Sequence, residues 1–337
     1  MEAAIARYLE PRIPGSSRLT VSNLFRIPGG ASRETWMFDA SWVAQGETAT
    51  GNFVLRKDPP ASLVESDREV EYTYYGAFAE SAVPVPRMLW LEQDESHLSG
   101  AFFIMERILG CDSNTRRIQE PDYAEARPML ARQFYEIAAA IHTFDWQKSG
   151  IANLGEAPTL ETCWTREVAY WEDMIDRNEL APQPIARAAI RWLKRNPPPP
   201  AQRVSVVHGD YRVGNFLYTK SGIKGIVDWE MAHLGDPLED LAWSFMELWR
   251  FGTPLMGGIV TREEAIRTWE AASGLKVDLD ALHWWDVFSG LKAQGIWLTG
   301  AKAFDSGKTQ EPILAYTSWG LINRQDEILL RSMGRGA

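Results

Sequence analysis

The chain has 337 residues, 45% apolar and 11% aromatic, with no low-complexity tract, which is enough material for one large domain or two packed lobes. A formal charge of -10 and a sequence pI near 5.2 argue against non-specific electrostatic binding to nucleic acid or anionic lipid. No stretch approaches the roughly 18 consecutive apolar residues of a membrane helix, so no membrane partner is expected.

The opening residues MEAAIARYLEPRIPG lack the basic start and apolar run of a secretory signal, and Cys111 and Cys163 are the sole cysteines. Together these predict a cytoplasmic, reducing setting. Residues 19–56 then read as strand material: LTVSNLFRI, ETWMFDASWVA and GNFVLRK, separated by PGGAS and QGETATG. A helix-compatible stretch from Leu63 to Ser81 follows and is closed by PVPRML. The apolar run AFFIMERI reads as a buried strand.

From Asp122 the pattern turns helical, with Leu130, Phe134, Ile137 and Ile141 at helical spacing. The prolines of NPPPPAQR exclude a helix or a central strand at 196–203 and deliver the chain into the β-branched run VSVVHGD. After residue 238 helical segments return. The expected fold class is α+β and bilobal, with a strand-rich lobe at 1–108, a larger helical lobe at 109–337 and a cleft between them.

The segment VVHGDYRVGNFLYTKSGIKGIVDWEMAHLGDPLEDLAW, 206–243, brings Asp210, Asn215 and Asp228 close together in sequence. A two-residue turn at Ser221 and Gly222 would set Lys220 against Ile223, Leu217 against Ile226 and Asn215 against Asp228. Opposed residues of an antiparallel pair point to one face, so an amide oxygen and a carboxylate would converge there. Hard oxygen ligands suit Mg²⁺, which completes its shell with water and phosphate oxygens. Asp210 would then receive or orient a hydroxyl proton, the arrangement that phosphoryl transfer needs.

HGDYRVGN, followed by IVDWE and GDPLEDLAW, resembles the aminoglycoside phosphotransferase-like kinases, relatives of choline kinases and more distantly of protein kinases. The resemblance implies a protein kinase-like fold, ATP or GTP as phosphoryl donor, Mg²⁺, and a small-molecule hydroxyl as acceptor. It makes Asp210 the catalytic base and Asn215 and Asp228 the metal ligands. Arg56 in FVLRK matches the basic residue that holds the donor's phosphates, with Glu69 as its acidic partner on the following helix. Lys57 competes with Arg56, but strand alternation points it away toward solvent.

The same resemblance puts Ser32 and the PGGAS backbone near the β and γ phosphates, and backbone groups near Glu106 and Ile108 against adenine. The neighbourhood of Tyr211 and Arg212 and the DWE after the sheet most resemble kinase domains associated with acyl-CoA dehydrogenases, which brings hydroxyacyl-CoA among the possible acceptors. A catalytically silent nucleotide-binding pseudokinase is the rival reading. His208 and Asp240 are expected to hold the catalytic loop, and His142 to be a satisfied core residue. SGKT at 306–309 lacks the first glycine and the strand of a phosphate loop, and no histidine or cysteine pair has zinc spacing.

Overall fold

The computed structural model describes residues 1–27, 34–58 and 68–334. It opens with an amphipathic helix, Glu2–Leu9 (α1), that the strand-centred sequence reading passes over. Three long strands follow, Ser17–Arg26 (β1), Glu34–Ala44 (β2) and Glu47–Lys57 (β3), then helix Arg68–Ala77 (α2) and strands Met88–Glu92 (β4) and Phe102–Glu106 (β5). They form one antiparallel sheet in the order β1-β2-β3-β5-β4.

Strand alternation gives this sheet two faces with different duties. Phe53, Leu55, Phe102 and Ile104 pack with Ile5, Tyr8 and Leu9, so α1 closes the outer face. Val54, Phe103 and Met105 face the other way and join the core of the rest of the molecule. Arg56, opposite Phe103 in the ladder, shares this inner face. Lys57 points away from it, as alternation requires, yet it lies near Glu34 at 3.7 Å with its side chain largely covered rather than in solvent.

The remainder is mainly helical: Arg127–Thr143 (α3), Cys163–Asn178 (α4) and Pro184–Arg195 (α5) precede a group of short strands. Those strands are Ser205–Val207 (β6), Phe216–Thr219 (β7), Gly222–Ile226 (β8) and His233–Gly235 (β9), with β6 paired to β9 and β7 to β8. Leu238–Ser244 (α6), Arg262–Ser273 (α7) and the 27-residue Leu279–Asp305 (α8) follow. Pro312–Tyr316 (α9) passes through a π turn at Thr317–Leu321 into Ile322–Gly334 (α10).

Helix α8 contacts α4, α5, α6 and α10, and Trp284 and Trp285 on it are buried core. Trp319 instead stands 80% exposed. Helix α2 ends at Ala77, before the Ser81 read from sequence. Residues 59–67 lie outside the described residues, as does the loop holding Ser32.

Candidate functional site

The β7-β8 hairpin does not adopt the register expected from a Ser221-Gly222 turn. Thr219 pairs with Gly222 and Tyr218 with Ile223, so Lys220 and Ser221 make the turn. The register then shifts between Leu217 and Tyr218, giving Leu217 opposite Gly225 and Phe216 opposite Ile226. The unpaired Lys224 acts as a bulge, which no turn rule applied to the sequence alone would locate. Asn215 therefore lies opposite Val227, whose N–H donates to its carbonyl at 2.9 Å, and not opposite Asp228.

Asp228 leaves the ladder altogether, in the left-handed region at φ 74°. A non-glycine residue held there carries backbone strain that its surroundings must offset. The restraints are visible: its N–H donates to the Tyr75 hydroxyl at 2.9 Å, and its Oδ1 accepts from Arg56 at 2.7 Å. Burial pushes the Asp228 carboxyl up, but the nearby Arg56 charge and hydrogen bond, with Arg212 behind them, bring it below the usual carboxylate range.

Arg56 is buried and faces three acids, Glu71 at 3.3 Å, Asp228 at 2.7 Å and Glu230 at 3.5 Å. Burial opposes its charge, yet the three carboxylates hold it firmly protonated. The acid on α2 is thus Glu71 and not Glu69, which correct helical phasing explains. Arg68, Glu71 and Tyr75 fall at i, i+3 and i+7 on the buried face, whereas Glu69 is exposed and accepts from Gln93 at 3.2 Å. The buried positions of α2 would have identified Glu71 once the helix start was known.

Asp210 sits at the other side of this group. Its carboxylate accepts from the Trp243 indole at 2.7 Å, from Arg212 Nε at 2.9 and 3.2 Å, and from Asn215 Nδ2 at 2.6 Å. The same Asn215 nitrogen reaches the Asp210 carbonyl at 2.9 Å. With the nitrogen so engaged, the amide oxygen is the end that Asn215 can turn to a cation. Asn215 and Asp228 thus offer oxygen donors, a set that fits Mg²⁺.

The backbone that carries Asp210 is tied at every peptide group. Asp240, fully buried, accepts from the His208 N–H at 2.7 Å and the Gly209 N–H at 3.0 Å, and also from His142 at 3.1 Å. Trp269 donates to the other nitrogen of His142 at 2.8 Å, so His142 is a satisfied core residue. His208 Nδ1 accepts from the Asp210 N–H at 3.2 Å and its Nε2 donates to the Val227 carbonyl at 3.1 Å, a pattern that requires the neutral ring. Burial moves its pKa the same way, downward.

Glu106 and Ile108 lie where the sheet hands the chain to the helical part. The Glu106 N–H is taken by the Arg87 carbonyl at 2.9 Å, and its side chain pairs with Arg87 at 3.0 Å. Only its carbonyl is left to offer a ligand. The Ile108 side chain packs over β8, close enough that a Cβ at Gly225 would stand 2.7 Å from its Cδ1. The segment between sheet and helices therefore rests directly on the hairpin that carries Asn215 and Asp228.

Residues 25–275 match the family model of the APH type, the phosphotransferase enzyme family. Acyl-CoA dehydrogenase family member 11 of Gallus gallus is 27% identical over 252 residues, covering 72% of this chain and 30% of that protein. The chain thus spans about a third of the length of that curated relative. A solved Ralstonia eutropha structure assigned to the aminoglycoside phosphotransferases aligns at a TM-score of 0.71 and 22% identity, over 99% of this chain and 98% of its own. A thermostable aminoglycoside phosphotransferase APH(4)-Ia variant, crystallised with ADP and hygromycin B, aligns at 0.59 and 19% identity, over 98% of each chain. Both likenesses establish the protein kinase-like fold.

Proposed function

Because the chain belongs to the phosphotransferase enzyme family, and so is a small-molecule phosphotransferase, we propose that it moves the γ-phosphoryl group of ATP or GTP to an alcohol, with Asp210 as base. Residues 1–108 serve as the nucleotide-binding lobe and 109–337 as the catalytic and acceptor-binding lobe. The observation that carries this reading is the meeting of Arg56 from β3 with Asp228 from the hairpin, within one loop of Asp210 and Asn215. One cation for phosphate, two oxygen donors and a further carboxylate stand together as in-line transfer requires.

In this reading Arg56, held by Glu71, grips the donor's phosphates through its planar fork. Asn215 and Asp228 would hold Mg²⁺, which supplies charge neutralisation on the phosphates when bound. The Glu106 carbonyl and the Ile108 N–H receive adenine, and Ser32, outside the described residues, lies in the loop assigned to the outer phosphates. Asp210 accepts the proton of the attacking hydroxyl while Trp243, Arg212 and Asn215 fix its orientation.

The names of the curated relatives make hydroxyacyl-CoA thioesters the acceptor class to try first. Incubation with Mg·ATP or Mg·GTP and a panel of such thioesters, amino alcohols, sugars and aminoglycosides should give nucleoside diphosphate release. One acceptor should also gain the mass of a phosphoryl group. Diphosphate release that no acceptor in any class raises, with no phosphorylated product, would contradict the proposal.

A further inference from the structure

Away from the residues assigned above, four ionisable side chains, Glu167, Glu239 and Lys292 buried and His233 partly so, gather between α4, β9, α6 and α8. Lys292 is 1% exposed and its ammonium lies 2.9 Å from Glu239 Oε1. The other Glu239 oxygen meets His233 Nε2 at 3.1 Å, and Glu167 approaches the same nitrogen at 3.6 Å. Glu167, His233 and Glu239 bring ligand atoms within 4.8 Å of one another, the spacing of a metal trio. Here, however, two carboxylates already face an ammonium and an imidazole, so a divalent ion would have to displace Lys292 from Glu239.

Charge balance does not account for the second hydrogen bond of Lys292. Its Nζ also donates to the Gly209 carbonyl at 2.6 Å, the peptide group directly before Asp210. Gly209 has φ +82°, and a Cβ there would collide with the Met231 carbonyl, so the chain is pinned on two sides at this residue. Lys292 further lies 5.0 Å from the centroid of the Trp243 ring, the ring whose N–H donates to Asp210. A single buried cation thus touches the backbone support of Asp210 and the side chain that orients it.

We propose that Lys292 is a positioning residue: it fixes the Gly209-Asp210 peptide and the Trp243 ring so that the Asp210 carboxylate stays aimed at the incoming hydroxyl. Glu239 serves to keep that ammonium charged and in place. The other clamps on this loop, Asp240 and His208, hold N–H groups; Lys292 alone among the described residues holds the Gly209 carbonyl by a charged donor. Loss of it frees the peptide to rotate while leaving the Arg56-Asp228 pair in place. The inference rests on the phosphotransferase reading for its kinetic consequence, and on geometry alone for its structural one.

The test compares Lys292→Met, Lys292→Arg and the double variant Lys292→Met/Glu239→Gln, the last removing the cation together with its charge partner. The readouts are ADP release from Mg·ATP with water as acceptor, and amide hydrogen exchange across 205–215. Lys292→Met should lower kcat about a hundredfold with KM for Mg·ATP little changed, as expected for a misaimed catalytic group. It should also raise exchange locally at 208–211. Lys292→Arg should recover part of the rate, and the double variant should remain slow although its buried charge is again balanced.

Recovery of near-normal kcat in the double variant would show that Lys292 matters only for charge balance, and would overturn the proposal. So would unchanged exchange at 208–211 in a folded Lys292→Met protein. A wild-type chain that releases no ADP under these conditions counts against the phosphotransferase reading instead, and the exchange measurement then decides the clamp by itself.

Discussion

The Trp243 indole nitrogen stands 2.7 Å from Oδ1 of Asp210, so a residue at the end of the first helix after the hairpin orients the proposed base directly. Trp243 is buried against Trp249, with ring centroids 5.7 Å apart, and it cannot turn without disturbing that contact. Trp243→Phe keeps most of the ring volume and removes the donor. We expect kcat to fall about tenfold, the worth of one hydrogen bond to a charged group, with KM for nucleotide unchanged in steady-state kinetics.

Glu71 and Glu69 give a paired test of the phosphate-binding arginine. Glu71→Gln removes the buried charge that contacts Arg56 and Arg68 and should raise KM for Mg·ATP about tenfold. Glu69→Gln, a change on the exposed face of α2 where Glu69 accepts from Gln93, should leave both constants within about twofold. Equal effects in steady-state titrations would mean that Arg56 is not held from α2.

How much of this was legible in the sequence follows from which interactions are local. The strand alternation of FVLRK puts Arg56 and Lys57 on opposite faces, the resemblance picks Arg56, and HGDYRVGN places Asp210 and Asn215 within one loop. The bulge at Lys224, the left-handed turn at Asp228 and the choice of Glu71 depend on packing that the sequence encodes only at long range. The Asn215-Asp228 pairing was expected from a turn at Ser221-Gly222; the actual turn one residue earlier moves the register by two, and the bulge restores one, leaving Asn215 opposite Val227. Trp243 ends the GDPLEDLAW motif but its contact with Asp210 spans 33 positions, and Lys292 carries no motif, its partner Gly209 lying 83 positions away.

Gly209 shows what the loop demands of its backbone. With φ +82° and the Met231 carbonyl against the position a Cβ would take, Gly209→Ala adds both strain and a clash. Thermal or urea unfolding should show a loss of about 2–3 kcal/mol, the combined scale of left-handed strain and overpacking. A loss under about 0.5 kcal/mol, the scale of an ordinary surface change, would mean that the loop can relax around the new methyl group.

Stability should also depend on pH through His233. Burial alone would lower its pKa, but Glu167 and Glu239 lift it to about 9. Against an unfolded value of about 6.5, the folded protein holds this proton more tightly, so the stabilisation is complete below about pH 6.5 and is lost as pH rises to about 9. His208 acts in the opposite sense: its pKa is lowered, so its contribution is lost as pH falls below about 6.5. Melting temperature should therefore decline from about pH 6.5 to 9 in the wild type, and His233→Gln should flatten that decline.

The role of Asp210 is tested most directly by measuring nucleotide binding and turnover together in Asp210→Asn. Isothermal titration with Mg·ATP should give an affinity within about threefold of wild type, because the phosphate and metal groups are other residues, while phosphoryl transfer to the identified acceptor falls by at least about a thousandfold. Turnover that persists in this variant at near wild-type rate would contradict the assignment of Asp210 as the base.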